Sequence, residues 1–187
     1  MRIISGNFKG KKIILPKDNL TRPLKDLTKE SIFNIIKHSK LLNIELKNSN
    51  ILDLFSGVGS FGLECLSREA SSVTFLESYK EVLIILKKNI DNLKLQNYSK
   101  IIEKDIFDKN TLGILKNKFE IIFIDPPYKE KKLLNLLIMI NKLKLLKQNG
   151  IIIIHRHKKE KDVFPDNFNI ILKKSYGISK IIFGNLV

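Results

Sequence analysis

Short apolar runs alternate along the chain with segments that carry apolar positions three and four residues apart. Such runs are typical of strands buried in a parallel sheet, and the spacing between them is typical of helices that cover it. We therefore predict an α/β fold with a mostly parallel sheet and helices on both faces. The predicted strands are residues 51–54, 73–77, 101–104, 121–124 and 151–154.

Five segments have the spacing or the end residues of helices. Residues 26–42 form the first, and the second opens at Gly62 and runs through Leu66. Ser78 and Glu81 have the spacing of a capping box for a third helix that ends near Leu93. A brief helix is expected at 111–116. The strongest pattern covers 133–146, and Asn149-Gly150 is expected to end that helix before the next strand.

Both ends of the chain have the pattern of antiparallel strands. Residues 2–15 predict two short strands around a glycine-containing turn, with basic side chains along one side. Residues 169–174 and 180–183 predict a β-hairpin around Tyr176-Gly177. A polar connector at 43–49 suggests a small N-terminal hairpin and helix extension over 1–43 and a main domain over 44–187.

The composition is that of a water-soluble globular protein. The chain has 187 residues, 43% of them hydrophobic and 28% charged, which suits one main domain with a small extension. No apolar run approaches the roughly 18 residues of a membrane span, and the strand-like start of the chain does not suggest a signal peptide. The single cysteine, Cys65, cannot form an internal disulfide and is expected in the core. We expect a cytoplasmic, monomeric protein.

The formal net charge of +15 suggests a polyanionic partner such as nucleic acid. Only four arginines contribute, and lysine, isoleucine and asparagine are all abundant, a bias that AT-rich coding also produces. Charge alone therefore favours nucleic-acid binding without identifying the lysines that take part.

The stretch at 50–62 has the sequence of a cofactor-binding loop. An apolar strand ends at Asp53, and Gly57, Gly59 and Gly62 follow in the spacing G-x-G-x-x-G. Dinucleotides and S-adenosylmethionine are both candidates. A carboxylate before the glycines would oppose a pyrophosphate, whereas it suits the sulfonium and ammonium groups of S-adenosylmethionine. The alternative is an ordinary strand–turn–helix in which Asp53 only caps the helix.

An acid stands at the carboxyl end of four predicted strands: Asp53, Glu77, Asp105 and Asp125. Ligands of open parallel sheets bind at this edge, so the four acids together indicate a site. Glu77 is placed to accept hydrogen bonds from ribose hydroxyls, and Asp105 to accept from an adenine amino group. For Asp105 the role of a helix N-cap is equally compatible with the sequence.

Asp125-Pro126-Pro127-Tyr128 follows the fourth strand and is the more selective motif. The prolines fix an extended backbone that is poor in donors, which leaves the Asp125 carboxylate and nearby carbonyls as acceptors for an NH₂ group. Tyr128 offers a face on which a flat base can stack. In the simpler alternative, the prolines only end the strand and Tyr128 packs on the core.

Other chemistries lack their motifs. The histidines have no metal-ligand spacing with Cys65, so no metal site is expected, and no phosphate-binding G-x-x-x-x-G-K-[ST] loop is present. His155-Arg156-His157, at the end of a strand, would either touch RNA or lie on a basic surface.

Six segments carry a resemblance that covers nearly the whole chain. They are RIISGNFKGKKI, TRPLKDLTKESIFNII, DLFSGVGSFGLECLSREA, VTFLE, DPPY and YGISKIIFG. The chain resembles the bacterial RsmD family of small-subunit (16S) ribosomal RNA guanine-N2 methyltransferases, which are Rossmann-like class I enzymes dependent on S-adenosylmethionine. The DPPY-type motif is shared with adenine-N6 and glutamine-N5 methylating enzymes, and the two N-terminal segments narrow the resemblance to this family.

The resemblance implies a role for each matching residue. The methionine part of S-adenosylmethionine would lie against the glycine loop, the ribose at the second strand, the adenine after the third and the guanine at the DPPY motif. Binding of 16S rRNA, free or in the small subunit, would use the basic hairpin and the loop after it. The chain departs from the family at His155, where an acid is usual. The implied residues are Asp53, Phe55, Gly57, Gly59, Glu77 and Asp105 for the cofactor, Asp125, Pro126 and Tyr128 for the guanine, and Arg2, Lys9, Lys11 and Arg22 for the RNA.

Two further functions remain open from the sequence. The same fold could methylate another amino nitrogen, such as adenine N6 of DNA or glutamine N5 of a protein. A non-catalytic RNA-binding assembly protein is less favoured, because the acids of the cofactor site and Asp125 are all intact.

Overall fold

The structure is a computed structural model that describes residues 1–17, 24–108 and 110–187. A seven-stranded sheet runs through its centre in the order β3-β2-β1-β4-β5-β7-β6. The strands are β1 Asn50–Leu54, β2 Ser72–Glu77, β3 Ser99–Glu103, β4 Phe119–Ile124, β5 Leu146–His157, β6 Phe168–Tyr176 and β7 Ser179–Leu186, and the helices are α1 Asp26–His38, α2 Ser60–Ser67, α3 Lys80–Asn92 and α4 Leu133–Lys142.

The sheet has the predicted mixed topology. Strands β1 to β5 pair in parallel, and β7 enters antiparallel between β5 and β6. The strand order reverses between β1, which continues outward to β2, and β4, which continues outward to β5. A crevice opens at such a reversal beyond the carboxyl ends of the strands, and ligands of open α/β sheets bind there. The topology therefore predicts a ligand-binding site beyond the carboxyl ends of β1 and β4.

Each face of the sheet carries its own hydrophobic cluster. Along β1, Ile51 packs with α1, α2 and α3, whereas Leu52 and Leu54 pack with α4 on the other face. This alternation follows the two-residue period of a strand, and it confirms the prediction of helices on both faces. It also places Asp53 on the α2 side.

Stacked aromatic rings join α1 to the sheet through α2. The ring centroids of Phe33 and Phe61 are 5.3 Å apart, and those of Phe61 and Phe123 are 4.0 Å apart. Leu24 and residues of α1 belong to the same buried cluster as the strands. The N-terminal segment thus shares a core with the sheet, and the division at residue 43 remains a prediction.

The predicted N-terminal pair of strands is reduced to a single antiparallel bridge between Arg2 and Lys12. Ile3 N–H donates to the Lys11 carbonyl at 2.9 Å and Ile13 N–H to the Met1 carbonyl at 3.1 Å, and beyond this bridge side chains of α2 bind the backbone. Glu64 accepts hydrogen bonds from the N–H groups of Ile4 at 2.7 Å and Ser5 at 3.0 Å. Glu64 is fully buried, and Lys29 of α1, also fully buried, holds its ammonium 3.6 Å from the same carboxylate. Sequence periodicity did not reveal this buried ion pair.

The last predicted helix is shorter than expected, and the strand after it is longer. Helix α4 ends at Lys142 because Lys144 takes a left-handed conformation with φ of +50°, and Leu145 N–H donates back to the Ile140 carbonyl. Strand β5 then begins at Leu146, so Asn149-Gly150 lies inside it, where the pairing with β4 shifts register. The prediction that Asn149-Gly150 ends the helix was wrong.

Two remaining expectations concern the core and the membrane. Cys65 is a free, fully buried thiol, and burial raises its pKa well above the usual value. Within the described ranges, every helix is too short or too polar to cross a bilayer.

Gly62 allows close packing between α2 and β2, which yields a stability prediction. A Cβ at Gly62 would lie 2.3 Å from the Phe75 ring and 2.7 Å from Val73 Cγ1, both in the core. Overpacking costs about 1 to 3 kcal/mol, more than the about 0.5 to 1 kcal/mol that alanine gains in a helix. Gly62→Ala should lower the free energy of unfolding in urea. Gly113→Ala, whose Cβ would meet only Asn110 Cβ at 4.0 Å, is the control and should change it by less than about 0.5 kcal/mol.

Candidate active site

A cavity of about 720 Å³ opens at the carboxyl ends of β1, β2 and β4, where the strand order reverses. It contains eight of the predicted site residues. Gly59, Arg2, Lys9 and Lys11 do not line it, and Arg22 lies outside the described residues. The predicted residues that line it are Asp53, Phe55, Gly57, Glu77, Asp105, Asp125, Pro126 and Tyr128.

The glycine loop turns by means of left-handed backbone conformations. Gly57 has φ of +55° and Gly59 has φ of +83°, a region that side chains with a Cβ rarely adopt. Gly59 is also the N-cap of α2, so the backbone N–H groups that begin this helix are directed toward the loop. The loop therefore offers backbone donors beside the carboxylate of Asp53.

Asp53 is only 1% exposed, and its Oδ2 accepts a hydrogen bond of 3.0 Å from Gly62 N–H. Burial raises the pKa of the Asp53 carboxyl well above its usual value. The hydrogen bond from Gly62 lowers the pKa, and the charges of Asp125 and Glu77 raise it. Asp53 thus has the capping role that the sequence left open and also lines the cavity.

Glu77 connects β2 to the glycine loop. Its Oε2 accepts from Gly57 N–H at 2.8 Å, and its Oε1 accepts from Ser78 N–H at 2.8 Å and from Tyr79 N–H at 2.9 Å. The predicted capping box is wrong: the N-cap of α3 is Tyr79, without a side-chain cap, because Glu77 binds the free N–H groups before the helix. Three of the roughly four lone-pair directions of this carboxylate are used within the protein.

Asp105 lies in a turn after β3 rather than at a helix start. Its Oδ1 accepts from Phe107 N–H at 2.8 Å, and the next short helix begins only at Leu112. Phe55 and Phe107 face each other with ring centroids 6.0 Å apart, and both line the cavity. Sequence reasoning did not identify Phe107, since a single aromatic residue in a loop has no distinguishing pattern. The pair gives this end of the cavity an apolar wall.

The loop after β4, residues 125–130, forms the opposite wall. Asp125 N–H donates to the Leu54 carbonyl at 3.3 Å, which holds the start of the loop against the end of β1. The Tyr128 ring packs edge-on against His157, with centroids 5.2 Å apart, and it reaches the cavity. Tyr128 therefore contacts a neighbouring ring and also lines the site. We refer to residues 125–130 as the acceptor loop.

The segment His155-Arg156-His157 supports the acceptor loop, contrary to the alternatives of RNA contact or basic surface. His155 is 6% exposed and its Nδ1 lies 2.8 Å from Asp125 Oδ1. Arg156 is 2% exposed and donates to the carbonyls of Pro127 at 3.2 Å and Glu130 at 2.9 Å. These contacts could not be inferred from the sequence, because they depend on how β5 lies beside β4.

The turn of the N-terminal segment lies away from the cavity. Asn7 N–H and Phe8 N–H donate to the backbone and side-chain oxygens of Ser67, at the C-terminal end of α2. The glycine loop is at the other end of this helix, whose eight residues span about 12 Å. Arg2, Lys9 and Lys11 are exposed. Lys9, in the turn, is thus far from the site, whereas Arg2 lies nearer to it. Lys29 Nζ donates to the Arg2 carbonyl at 2.8 Å and lies 3.4 Å from Ser60 Oγ in the cavity lining.

The burial of Asp53 yields a prediction about pH. A carboxyl whose folded pKa is raised destabilises the fold increasingly as pH rises above its unfolded pKa of about 4. Asp53→Asn should therefore melt at a higher temperature than the parent at pH 7, with a difference that shrinks toward pH 4, because asparagine can still accept from Gly62 N–H. Thermal melts across this range measure the difference. Asp53→Ala is the control, and it should melt lower because Gly62 N–H loses its acceptor, at a cost of about 1 to 3 kcal/mol.

Comparisons with known proteins agree with this architecture. A family model described as conserved hypothetical protein 95 matches residues 1–185. Ribosomal RNA small subunit methyltransferase D of Buchnera aphidicola subsp. Acyrthosiphon pisum is 39% identical over 179 residues, which cover 92% of this chain and 86% of the relative. The crystal structure of putative methylase HI0767 from Haemophilus influenzae is 32% identical, with a TM-score of 0.76 over 100% of this chain and 99% of that one.

A second solved structure supports the fold alone. The putative methyltransferase yhhF from Escherichia coli is 24% identical and superposes with a TM-score of 0.81 over 100% of this chain and 97% of its own. The fold is that of class I methyltransferases, as the sequence predicted. The chain belongs to the conserved hypothetical protein 95 family, that of ribosomal RNA small subunit methyltransferase D.

Proposed function

We propose that this protein transfers a methyl group from S-adenosylmethionine to the exocyclic N2 of a guanine in 16S rRNA of the small ribosomal subunit. Family membership supports methylation of small-subunit rRNA, since several relatives carry that name. The observation that carries the proposal is one cavity with two unlike walls. One wall is the glycine loop with Asp53 and Glu77, and the other is the acceptor loop with Asp125.

The donor set of the first wall suits S-adenosylmethionine, which supplies an electrophilic methyl group. Two carboxylates, Asp125 and Glu77, lie close enough to Asp53 for their charges to raise its pKa. Such an edge favours a bound cation over a pyrophosphate. Asp53, Gly57 and Gly59 would hold the methionine part, and a positive charge there would relieve the cost of the buried carboxylate.

The adenosine part fits the outer region of this wall. Glu77 has about one lone-pair direction left for a ribose hydroxyl, so binding of both hydroxyls would replace its bond to Gly57 N–H. Asp105 is exposed at the rim, with Oδ1 bonded to Phe107 N–H. Phe55 and Phe107 offer rings against which an adenine can pack. These residues would orient the donor without taking part in the chemistry.

The acceptor loop suits an amino nitrogen. The lone pair of an exocyclic nitrogen is delocalised into the ring, so acceptors that bind its N–H groups help to orient it for attack. Asp125 is one such acceptor, and Pro126, without an N–H, adds no donor that would repel an NH₂ group. Tyr128 would stack on the unstacked guanine, a contact worth about 1 to 3 kcal/mol. Transfer would proceed by direct displacement, and the methylated amine would then lose its proton to Asp125 or to water.

The proposal includes a monomer that acts in the cytoplasm on rRNA, either free or in the small subunit. Arg2, Lys9, Lys11 and Arg22 would contact phosphates around the target base. The net charge of +15 supports this, and so does the exposure of the first three. Because the turn at Asn7 and Phe8 lies at the far end of α2, Lys9 would contact RNA flanking the base rather than the base itself.

Substitution of Asp125 tests the acceptor assignment. Asp125→Ala should lower kcat on undermethylated small subunits about 100-fold or more, because the nitrogen loses an oriented acceptor, while the Kd for S-adenosylmethionine changes less than about threefold. Labelled-methyl transfer and calorimetry measure the two quantities. The control is Asp166→Ala, at an exposed acid before β6, which should match the parent in both. Unchanged turnover in Asp125→Ala would refute the role.

The product identifies the acceptor. Nucleoside analysis of the labelled rRNA should yield N2-methylguanosine. Incorporation into DNA or protein factors instead would refute the rRNA acceptor and leave methyl transfer standing. Failure to bind S-adenosylmethionine in calorimetry would refute the methyltransferase itself.

Charge removal on the N-terminal segment tests the RNA contacts. The double variant Lys9→Gln/Lys11→Gln should weaken rRNA binding and flatten the plot of log K against log salt by about 1 to 2 units of slope, since each phosphate contact contributes about 0.7 to 0.9. Filter binding at several salt concentrations measures this. Lys116→Gln/Lys118→Gln removes the same charge from exposed lysines before β4 and should keep the parental slope. Equal slopes of log K against log salt in the two double variants would exclude RNA contacts by Lys9 and Lys11.

A further inference from the structure

We propose that His155, held by Ser179, is the positioning residue that orients the Asp125 carboxylate toward the substrate amino group. The proposal rests on the proposed function for the role of Asp125. It starts from a chain of two hydrogen bonds at the edge of the cavity. His155 Nδ1 lies 2.8 Å from Asp125 Oδ1, and Nε2 lies 2.9 Å from Ser179 Oγ.

The chemistry of the partners fixes the direction of both bonds. An ionised carboxylate only accepts hydrogen bonds, so Nδ1 of His155 must carry the proton that faces Asp125. In the neutral imidazole, Nε2 is then an acceptor, and the hydroxyl of Ser179 can donate to it. Ser179 is 6% exposed, so its hydroxyl is largely shielded from water. Asp125 therefore selects the tautomer with a proton on Nδ1, and Ser179 stabilises it by donating to Nε2.

The hydrogen bond from His155 gives the two carboxylate oxygens of Asp125 different roles. Oδ1 is bound to His155, and Oδ2 accepts no hydrogen bond from any residue that the structure describes. The Asp125 side chain is 19% exposed and lines the cavity. One oxygen is thus held by the protein while the other remains for the N–H of a substrate.

The backbone of Asp125 is already constrained, so the side-chain torsions are its main freedom. Its N–H is bonded to the Leu54 carbonyl, and Pro126 restricts its backbone angles. Without His155 the carboxylate would sample several rotamers, and a displacement of about 1 Å can lower a rate about 100-fold. His155 thus restricts the side-chain torsions of Asp125, which Pro126 does not constrain.

The two supporting residues come from rigid elements. His155 is paired with Ile181 and His157 with Ser179 in the antiparallel ladder of β5 and β7. Behind this ladder, Arg156 and Lys180 are bridged by the carboxylate of Asp162, at 2.8 Å from each. A site held by paired strands is more precise than one held by loops alone.

A matched pair of amide variants tests the proposal. Asparagine places an N–H donor near the position of Nδ1, whereas glutamine places its amide near Nε2. His155→Asn should keep kcat within about fivefold of the parent, and His155→Gln should lower it about 10- to 100-fold, the equivalent of one hydrogen bond to a charged group. The Kd for S-adenosylmethionine should be unchanged in both. Equal losses in the two variants would overturn the proposal.

A double-mutant cycle distinguishes a positioning role of His155 from a general disruption of the structure. In the Asp125→Ala background, His155→Gln should cause no further loss of kcat, because the group that it orients is gone. An additional loss as large as that in the parent background would assign His155 a role independent of Asp125 and would overturn the proposal.

A spectroscopic readout does not depend on activity. Nitrogen-15 spectra of the imidazole rings, with His38 and His157 assigned by substitution, should show His155 protonated on Nδ1 in the parent. Ser179→Ala should shift this ring toward a mixture of tautomers and lower kcat about 3- to 10-fold, and Ser179→Thr should restore both. Protonation of His155 on Nε2 alone in the parent would overturn the proposal even if methyl transfer were established. Absence of methyl transfer by the parent would refute the proposed function and leave the tautomer result intact.

Discussion

Burial of the Asp53 carboxylate is the constraint on which the glycine loop depends. A carboxylate that is 1% exposed must be hydrogen-bonded, and Gly62 N–H at the start of α2 provides the bond. This contact fixes where the helix begins relative to β1, and hence where the turn of Gly57 and Gly59 lies. Glu77 fixes the other side of the same turn through Gly57 N–H. Two carboxylates thus shape the loop and also leave the cavity negatively charged.

The reversal of strand order gives the cavity its two unlike walls. Strands β1 and β2 provide carboxylates that bind backbone N–H groups of the glycine loop, whereas β4 and β5 provide the acceptor loop and its support. The walls meet where Asp125 N–H donates to the Leu54 carbonyl. Since donor and acceptor of a methyl group must meet in line, this join between neighbouring strands is the natural place for the reaction.

Sequence predicted the parts of the site that depend on local chemistry. The glycines of 57–62 and the prolines after Asp125 restrict their own backbones, so their conformation could be inferred without neighbours. The sheet and its faces followed from apolar periodicity. The carboxyl-end acids followed from their place after each strand.

Contacts between distant segments could not be predicted in this way. Ser78 and Glu81 matched a capping box, yet Glu77 binds the N–H groups before α3 instead. Glu64 in the middle of α2 binds the backbone N–H groups of residues 4 and 5, next to the single bridge that replaces the expected pair of strands. The charged segment after Ile154 had the pattern of a surface. Only the pairing of β5 with β4 and β7 shows that His155 and Arg156 are buried.

The late position of β7 in the chain has a consequence for synthesis on the ribosome. The glycine loop, Glu77 and Asp105 all precede residue 106, whereas Ser179 and Lys180, which bind His155 and Asp162, belong to β7. A nascent chain can therefore complete the wall proposed for the methyl donor long before the acceptor loop gains its support. Under the proposed roles, a product that stops before β7 would retain these carboxylates without an oriented acceptor.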